Sequence, residues 1–168
     1  ACGNDVDCPQ EMLCVAAFCV DAYGLRYDIE VAGSRLIYRN DSGRLSIYDS
    51  DGALILSEAY GLIMLDATDE EGRVMRSDYE RVRAVSLKQE ADRLGEAERI
   101  LVTISGSEGE PNLIWRISGY PGEGFYTFQL RISNQSGGEI ALAKAAPLRS
   151  RGEEGGGLFM GEHPSTHR

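Results

Sequence analysis

Cysteine is missing from every position after Cys19, although Cys2, Cys8, Cys14 and Cys19 crowd the start of this 168-residue chain. The body therefore has no disulfides within it and must hold its shape by burial. Long apolar runs are also missing. The longest, Met12 to Val20, is far shorter than the roughly twenty residues a membrane-spanning helix requires, so no membrane span is expected. Basic charge is scarce: 17 Lys and Arg against 27 Asp and Glu leave a formal charge of −10, which repels phosphate backbones and anionic lipid and makes nucleic acid an unsuitable partner. Histidine occurs twice, and no Gly-x-Ser-x-Gly or other nucleophile motif is present, so the residues supply no catalytic assignment. The chain begins at Ala1 with no basic region followed by an apolar stretch, as expected where a signal peptide has been removed or was never included.

The segment that does carry cysteine reads Cys-x5-Cys-x5-Cys-x4-Cys. It has too few large apolar side chains to fold alone, and a two-disulfide knob over residues 1–22 is the expectation. Export fits that chemistry, placing the protein in the secreted or cell-surface compartment. Pairing Cys2 with Cys14 and Cys8 with Cys19 suits a compact ladder, although spacing leaves the connectivity open. Two other readings stand beside it. A zinc site would use close cysteine pairs, which only Cys14 and Cys19 approach. A lipoprotein anchor would use Cys2 alone and leave an odd thiol among the remaining three.

Residues 23–168 are expected to form one antiparallel β-sandwich. Short alternations of apolar and polar residues recur about every ten positions, separated by turn residues. Strands are expected at Leu25–Ala32, Arg35–Arg39, Arg44–Asp49, Ala53–Ser57, Ala59–Asp66, Arg73–Arg76, Arg81–Gln89, Arg99–Ser105, Asn112–Ser118, Phe125–Ser133, Glu139–Ala145 and Leu158–Met160. Asn40-Asp41-Ser42-Gly43 and Asp49-Ser50-Asp51-Gly52 offer residues that tolerate positive φ in tight hairpins. Gln89–Glu98 reads as a helical turn weakened by Gly95. The clearest alternation sets Tyr126, Phe128, Leu130 and Ile132 inward against Phe125, Thr127, Gln129 and Arg131. It faces Leu113, Trp115 and Ile117 across the turn Tyr120-Pro121-Gly122-Glu123-Gly124. The polar end at Glu162–Arg168, reached through the glycine-rich stretch Ser150–Gly157, reads as a truncated C-terminus.

Candidate chemistry is thin and has competing structural readings. His163 and His167 have the His-x3-His spacing of some metal sites, but Pro164 between them opposes the helix that would aim both imidazoles at one ion. Neighbouring acids such as Asp49 with Asp51, Asp66 with Asp69 and Glu70, or Glu153 with Glu154 fall in turns, where carboxylates serve as solvated turn residues. Asn4, Asp5 and Asp7, like Asp49 and Asp51, offer oxygen ligands for calcium but complete no EF-hand type loop. Asn40-Asp41-Ser42 and Asn134-Gln135-Ser136 match the N-glycosylation pattern. Aromatic rings remain, since the C–H face of a sugar stacks on an exposed ring. Trp115, Tyr120, Phe125 and Tyr126 cluster about the best hairpin; alternation puts Trp115 and Tyr126 in the core and leaves Tyr120 and Phe125 as the surface candidates. No cofactor is expected.

Two stretches carry a family resemblance. Residues 2–20, with Asn4-Asp5-Val6-Asp7-Cys8-Pro9 and their cysteine spacing, resemble short disulfide repeats of exported bacterial proteins. The body resembles the N-terminal β-supersandwich domain of α-galactosidase-like glycoside hydrolases. The matching phrases are Arg44-Leu45-Ser46-Ile47-Tyr48-Asp49-Ser50-Asp51-Gly52, Leu113-Ile114-Trp115-Arg116-Ile117, Tyr120-Pro121-Gly122 and Phe128-Gln129-Leu130-Arg131-Ile132-Ser133-Asn134. In that family both catalytic aspartates lie on a following (β/α)8 barrel. The resemblance thus implies a non-catalytic ancillary domain, with carbohydrate or a covalently following catalytic domain as its partner. A free-standing extracellular carbohydrate- or ligand-binding adhesion module, with the knob as a spacer, is the other class of function that the sequence leaves open.

Overall fold

The computed structural model describes residues 5–9, 12–15, 18–21, 25–65, 73–78, 83–107, 110–135, 137–150 and 157–158. Among them the chain is built from antiparallel strands and one 3-10 turn at Asp5–Asp7, and no helix is long and apolar enough to cross a membrane. The strands form an all-β sandwich architecture. Two compact units emerge, Ala1–Ala59 with Ser150–Arg168, and Tyr60–Arg149.

In the first unit β1 (Met12–Val15) and β2 (Phe18–Asp21) form a short hairpin whose register sets Cys14 opposite Cys19. β3 (Arg26–Val31), β4 (Ser34–Arg39) and β5 (Arg44–Tyr48) follow as a meander. It continues into the first half of β6 (Leu54–Leu65), on which β13 (Gly157–Leu158) pairs. β3 meets β4 through Ala32 and Gly33, both with positive φ (48° and 83°), the left-handed turn geometry whose twist matches that of the flanking strands. Asn40–Gly43 and Asp49–Gly52 make the expected turns, with Gly43 and Gly52 at positive φ. Leu36, Ile37 and Tyr38 are consecutive and all buried, so both faces of β4 are covered.

Arg26 ties the N-terminal segment to this sheet. Its fully buried guanidinium donates through Nη1 to the carbonyls of Asp5 (2.7 Å), Pro9 (3.4 Å) and Met12, and through Nε and Nη2 to both carboxylate oxygens of Asp28 (2.7 and 2.8 Å). Asp28 also receives both Nε (2.8 Å) and Nη2 of Arg35, while Asp5 accepts from Arg39 Nη1 at 3.3 Å. A buried charge needs such compensation. Cys8 is buried and no free cysteine occurs among the described residues; the side chains of Cys2, Cys14 and Cys19 lie outside them.

In the second unit the rest of β6 pairs with β7 (Arg73–Arg76) and β12 (Leu142–Arg149). The second sheet runs β11 (Phe125–Ser133), β10 (Asn112–Tyr120), β9 (Gly95–Ile104), β8 (Arg83–Asp92). The two sheets pack face to face where Gly61 lets the backbone of β6 approach Trp115 and Leu130: a Cβ there would lie 3.1 Å from Leu130 Cδ2 and 3.3 Å from the indole. Ile100, Val102, Ile104, Leu113, Trp115 and Ile117 fill the core from one side, and Ile63, Leu65 and Met75, on the face of Gly61, come from the other sheet.

The structure corrects three sequence expectations. Ala53–Ser57 and Ala59–Asp66 are not two strands but the single β6, whose pairing with β5 shifts register beside Glu58, a residue at φ 52°. Gln89–Glu98 is no helical turn: the β8–β9 hairpin runs through it and closes at Asp92–Gly95, with Gly95 at φ 123°. The last long strand is displaced to Leu142–Arg149 and holds Pro147 at a register shift, where a missing N–H costs the ladder least.

Candidate functional site: an aromatic pair on the β10–β11 hairpin

Tyr120 ends β10 and Phe125 begins β11 directly opposite it, joined by a turn in which Glu123 and Gly124 both donate their N–H to the Tyr120 carbonyl (3.1 and 2.9 Å). The rings stack with centroids 4.9 Å apart at 29°. Tyr120 is 2% exposed and Phe125 37%, so the first ring is the floor and the second is the presented surface. The expectation that both rings face solvent therefore holds for Phe125 and fails for Tyr120, because Phe125 and an ion-pair network cover the tyrosine.

That network lies on the same sheet face. Tyr120 OH donates to Asp92 Oδ2 at 2.9 Å; Asp92 also accepts Arg99 Nη2, and its Oδ1 takes the Leu94 N–H at 2.8 Å. Arg99 Nη1 donates to Glu90 Oε2 at 2.6 Å. The backbone bond from Leu94 holds the Asp92 carboxyl below its ordinary value, outweighing burial, with Tyr120 and Arg99 acting in the same direction. Burial works against the charge on Arg99, but Tyr120, Glu90 and Asp92 more than offset it and raise its pKa. The carboxylates of Glu90 and Asp92 remain 44% and 34% exposed, so each retains acceptor capacity toward solvent.

Trp115 and Tyr126 lie on the other face, as the register Trp115↔Leu130 and Gly119↔Tyr126 requires. Trp115 is fully buried and donates its indole N–H to the Pro147 carbonyl at 2.7 Å, and Tyr126 is half-buried. Trp115 lies in the core, where alternation puts it, whereas Tyr126 on the same face is only partly covered. A shallow hollow of about 290 Å³ opens beside the β8–β9 hairpin, with Gln89, Glu96, Glu98 and Pro121 in its lining. Among the described residues no three His, Cys, Asp or Glu side chains converge as metal ligands. Asp49 serves its turn, accepting from the N–H groups of Asp51 (2.9 Å) and Ala53 (2.8 Å), and Asp5 is engaged by Arg39. His163, His167, Asn4, Asp66, Asp69, Glu70, Glu153 and Glu154 lie outside the described residues.

Sequence reasoning missed Glu90, Asp92 and Arg99. Their signal was available in the Asp92-Arg93-Leu94-Gly95 string, whose ends suit a two-residue hairpin; such a hairpin sets Glu90 and Asp92 on one face with Ala97 and Arg99.

The arrangement offers a partly exposed apolar ring stacked on a buried one and carboxylate acceptors on the same sheet face. Comparison of the chain with protein-family models, with curated proteins and with solved structures returns no match.

Proposed function

We propose that this chain is a non-catalytic, carbohydrate-handling β-sandwich module of an exported protein, ancillary to an α-galactosidase-like glycoside hydrolase, and that it meets sugar with the ring of Phe125. The observation that carries this reading is the Tyr120–Phe125 stack. An exposed ring already ordered by a buried partner loses little conformational freedom on binding, and its face suits the C–H side of a pyranose. The link to a hydrolase rests on the sequence resemblance. Export goes with the cysteine-rich start, whose four thiols are taken as two disulfides.

A free-standing extracellular binding module is the second reading. It is favoured by the ring and its supporting network all belonging to this chain. The test is a glycan-array screen of the 168-residue chain beside Phe125→Ala and Tyr120→Phe. Binding of galactose-containing or other glycans that Phe125→Ala abolishes supports a sugar-contacting module; absence of binding to every glycan overturns the Phe125 assignment. Intact mass before and after reduction tests the disulfides, with an alkylatable thiol before reduction as the contrary result.

A further inference from the structure

β8 is the outer strand of its sheet, and among the described residues β9 is its only strand partner. Its distal half stands clear of the body: Leu87 through Leu94 are exposed, Leu87 itself to 46%. In an antiparallel ladder successive residues turn their N–H and C=O alternately to one neighbour and the other. Counting from the hairpin's closing pair Asp92–Gly95, Lys88, Glu90 and Asp92 bond to β9. The main chains of Leu87, Gln89 and Ala91 then point to the open edge. An edge of this length with a single lysine to blunt it is a template for another strand.

We propose that this edge pairs antiparallel with the same edge of a second copy of the chain, about a two-fold axis through Gln89. The charge order selects that register. With Gln89 facing Gln89 of the second copy, Lys88 falls opposite Glu90 and Glu90 opposite Lys88, so the symmetry makes each favourable pair twice. Leu87, the exposed apolar residue of the strand, then meets Ala91, and the outward main-chain groups of Leu87, Gln89 and Ala91 all gain partners. Centring the axis on Leu87 instead sets the two copies of Lys88 diagonally together and leaves Glu90 against Ala84. Each copy keeps its own face toward its own body, since the opposed residues share parity.

Sedimentation velocity of the 168-residue chain over a concentration series tests this. The chain is expected to dimerise reversibly. Lys88→Glu, which sets like charges opposite each other at both pairs, is expected to weaken the dimer about tenfold or more, and adding Glu90→Lys to it to restore the affinity. Glu90→Lys also loses the Arg99 contact, so Gln89→Pro serves as an independent variant: it removes an N–H that β9 does not use, and an edge strand tolerates it. It is expected to give a monomer with an unchanged far-UV spectrum. Register is read by oxidising Gln89→Cys, where the paired Cα atoms would stand about 5.5 Å apart, within disulfide reach. A covalent dimer should form there and not with Ser86→Cys. A monomer at every concentration, a dimer indifferent to Lys88→Glu and Gln89→Pro, or cross-linking at position 86 in preference to 89 overturns the proposal.

Discussion

The indole N–H of Trp115 donates to the carbonyl of Pro147 at 2.7 Å, bonding the buried face of β10 to the strand in which Pro147 itself cannot donate. Trp115→Phe keeps most of the packing and strands that carbonyl, so a loss of about 1–3 kcal/mol is expected. Trp115→Ala adds a cavity and should cost about 3–5 kcal/mol. Urea unfolding followed by far-UV circular dichroism checks both, and equal costs for the two variants would contradict the division between bond and packing.

Arg26→Met should be among the most damaging single changes in the first unit. It leaves the Asp28 carboxylate with Arg35 alone and strands the Asp5, Pro9 and Met12 carbonyls, at about 3–5 kcal/mol. Arg26→Lys restores charge but not the planar fork, so it should recover only part of the loss. Limited proteolysis is the more specific readout: faster cleavage within residues 1–22 is expected in both variants, with the rest of the chain resisting as before.

Two glycines separate a tolerable contact from an intolerable one. Gly61→Ala presses a methyl group onto Leu130 and Trp115 at 3.1–3.3 Å, side-chain atoms that can yield, for an expected loss of about 1–3 kcal/mol. Gly106→Ala sets its Cβ 2.3 Å from the Pro111 carbonyl oxygen and 2.8 Å from that of Glu110, backbone atoms that cannot move independently. The second variant should be the less stable of the pair in thermal melts.

Acid should weaken the aromatic platform. Asp92 titrates below its ordinary value when folded, so its contribution is fully present above the unfolded pKa of about 3.9 and is lost as pH falls through the lower folded value. Asp41 behaves alike: burial raises its pKa, but the hydrogen bonds and charge of Arg39 prevail and lower it. Stability is therefore expected to decline below about pH 4, and Asp92→Asn to remove part of that acid dependence. Urea midpoints for both proteins across that range provide the measurement.

Period-two alternation made β11, β10 and the β3–β5 meander legible in the sequence, because those strands have a drier and a wetter face or sit between clear turn signals. β6 was harder to read. Leu54–Leu65 is buried on both faces through Ala59–Ile63, so alternation vanishes, and a single left-handed residue at Glu58 resembles the end of a strand. The β8–β9 hairpin failed for the opposite reason: Gln89–Glu98 is so exposed that no apolar period marks it, and its glutamates and alanines favour a helix locally until cross-strand pairing overrides them. Phe125 was legible as a surface ring by parity. Tyr120 has the same parity and is buried, because its cover comes from Asp92 and Arg99, partners that only the pairing of β8 with β9 supplies.

The position of Trp115 gives the molecule a built-in optical asymmetry. It is the chain's single tryptophan and lies within Tyr60–Arg149. Indole emission excited at the red edge thus reports that unit and leaves the other dark, whereas circular dichroism sums the two. Coincident denaturation curves from the two signals would mean one cooperative transition; a separation would time the melting of Ala1–Ala59 against its neighbour without any label being attached.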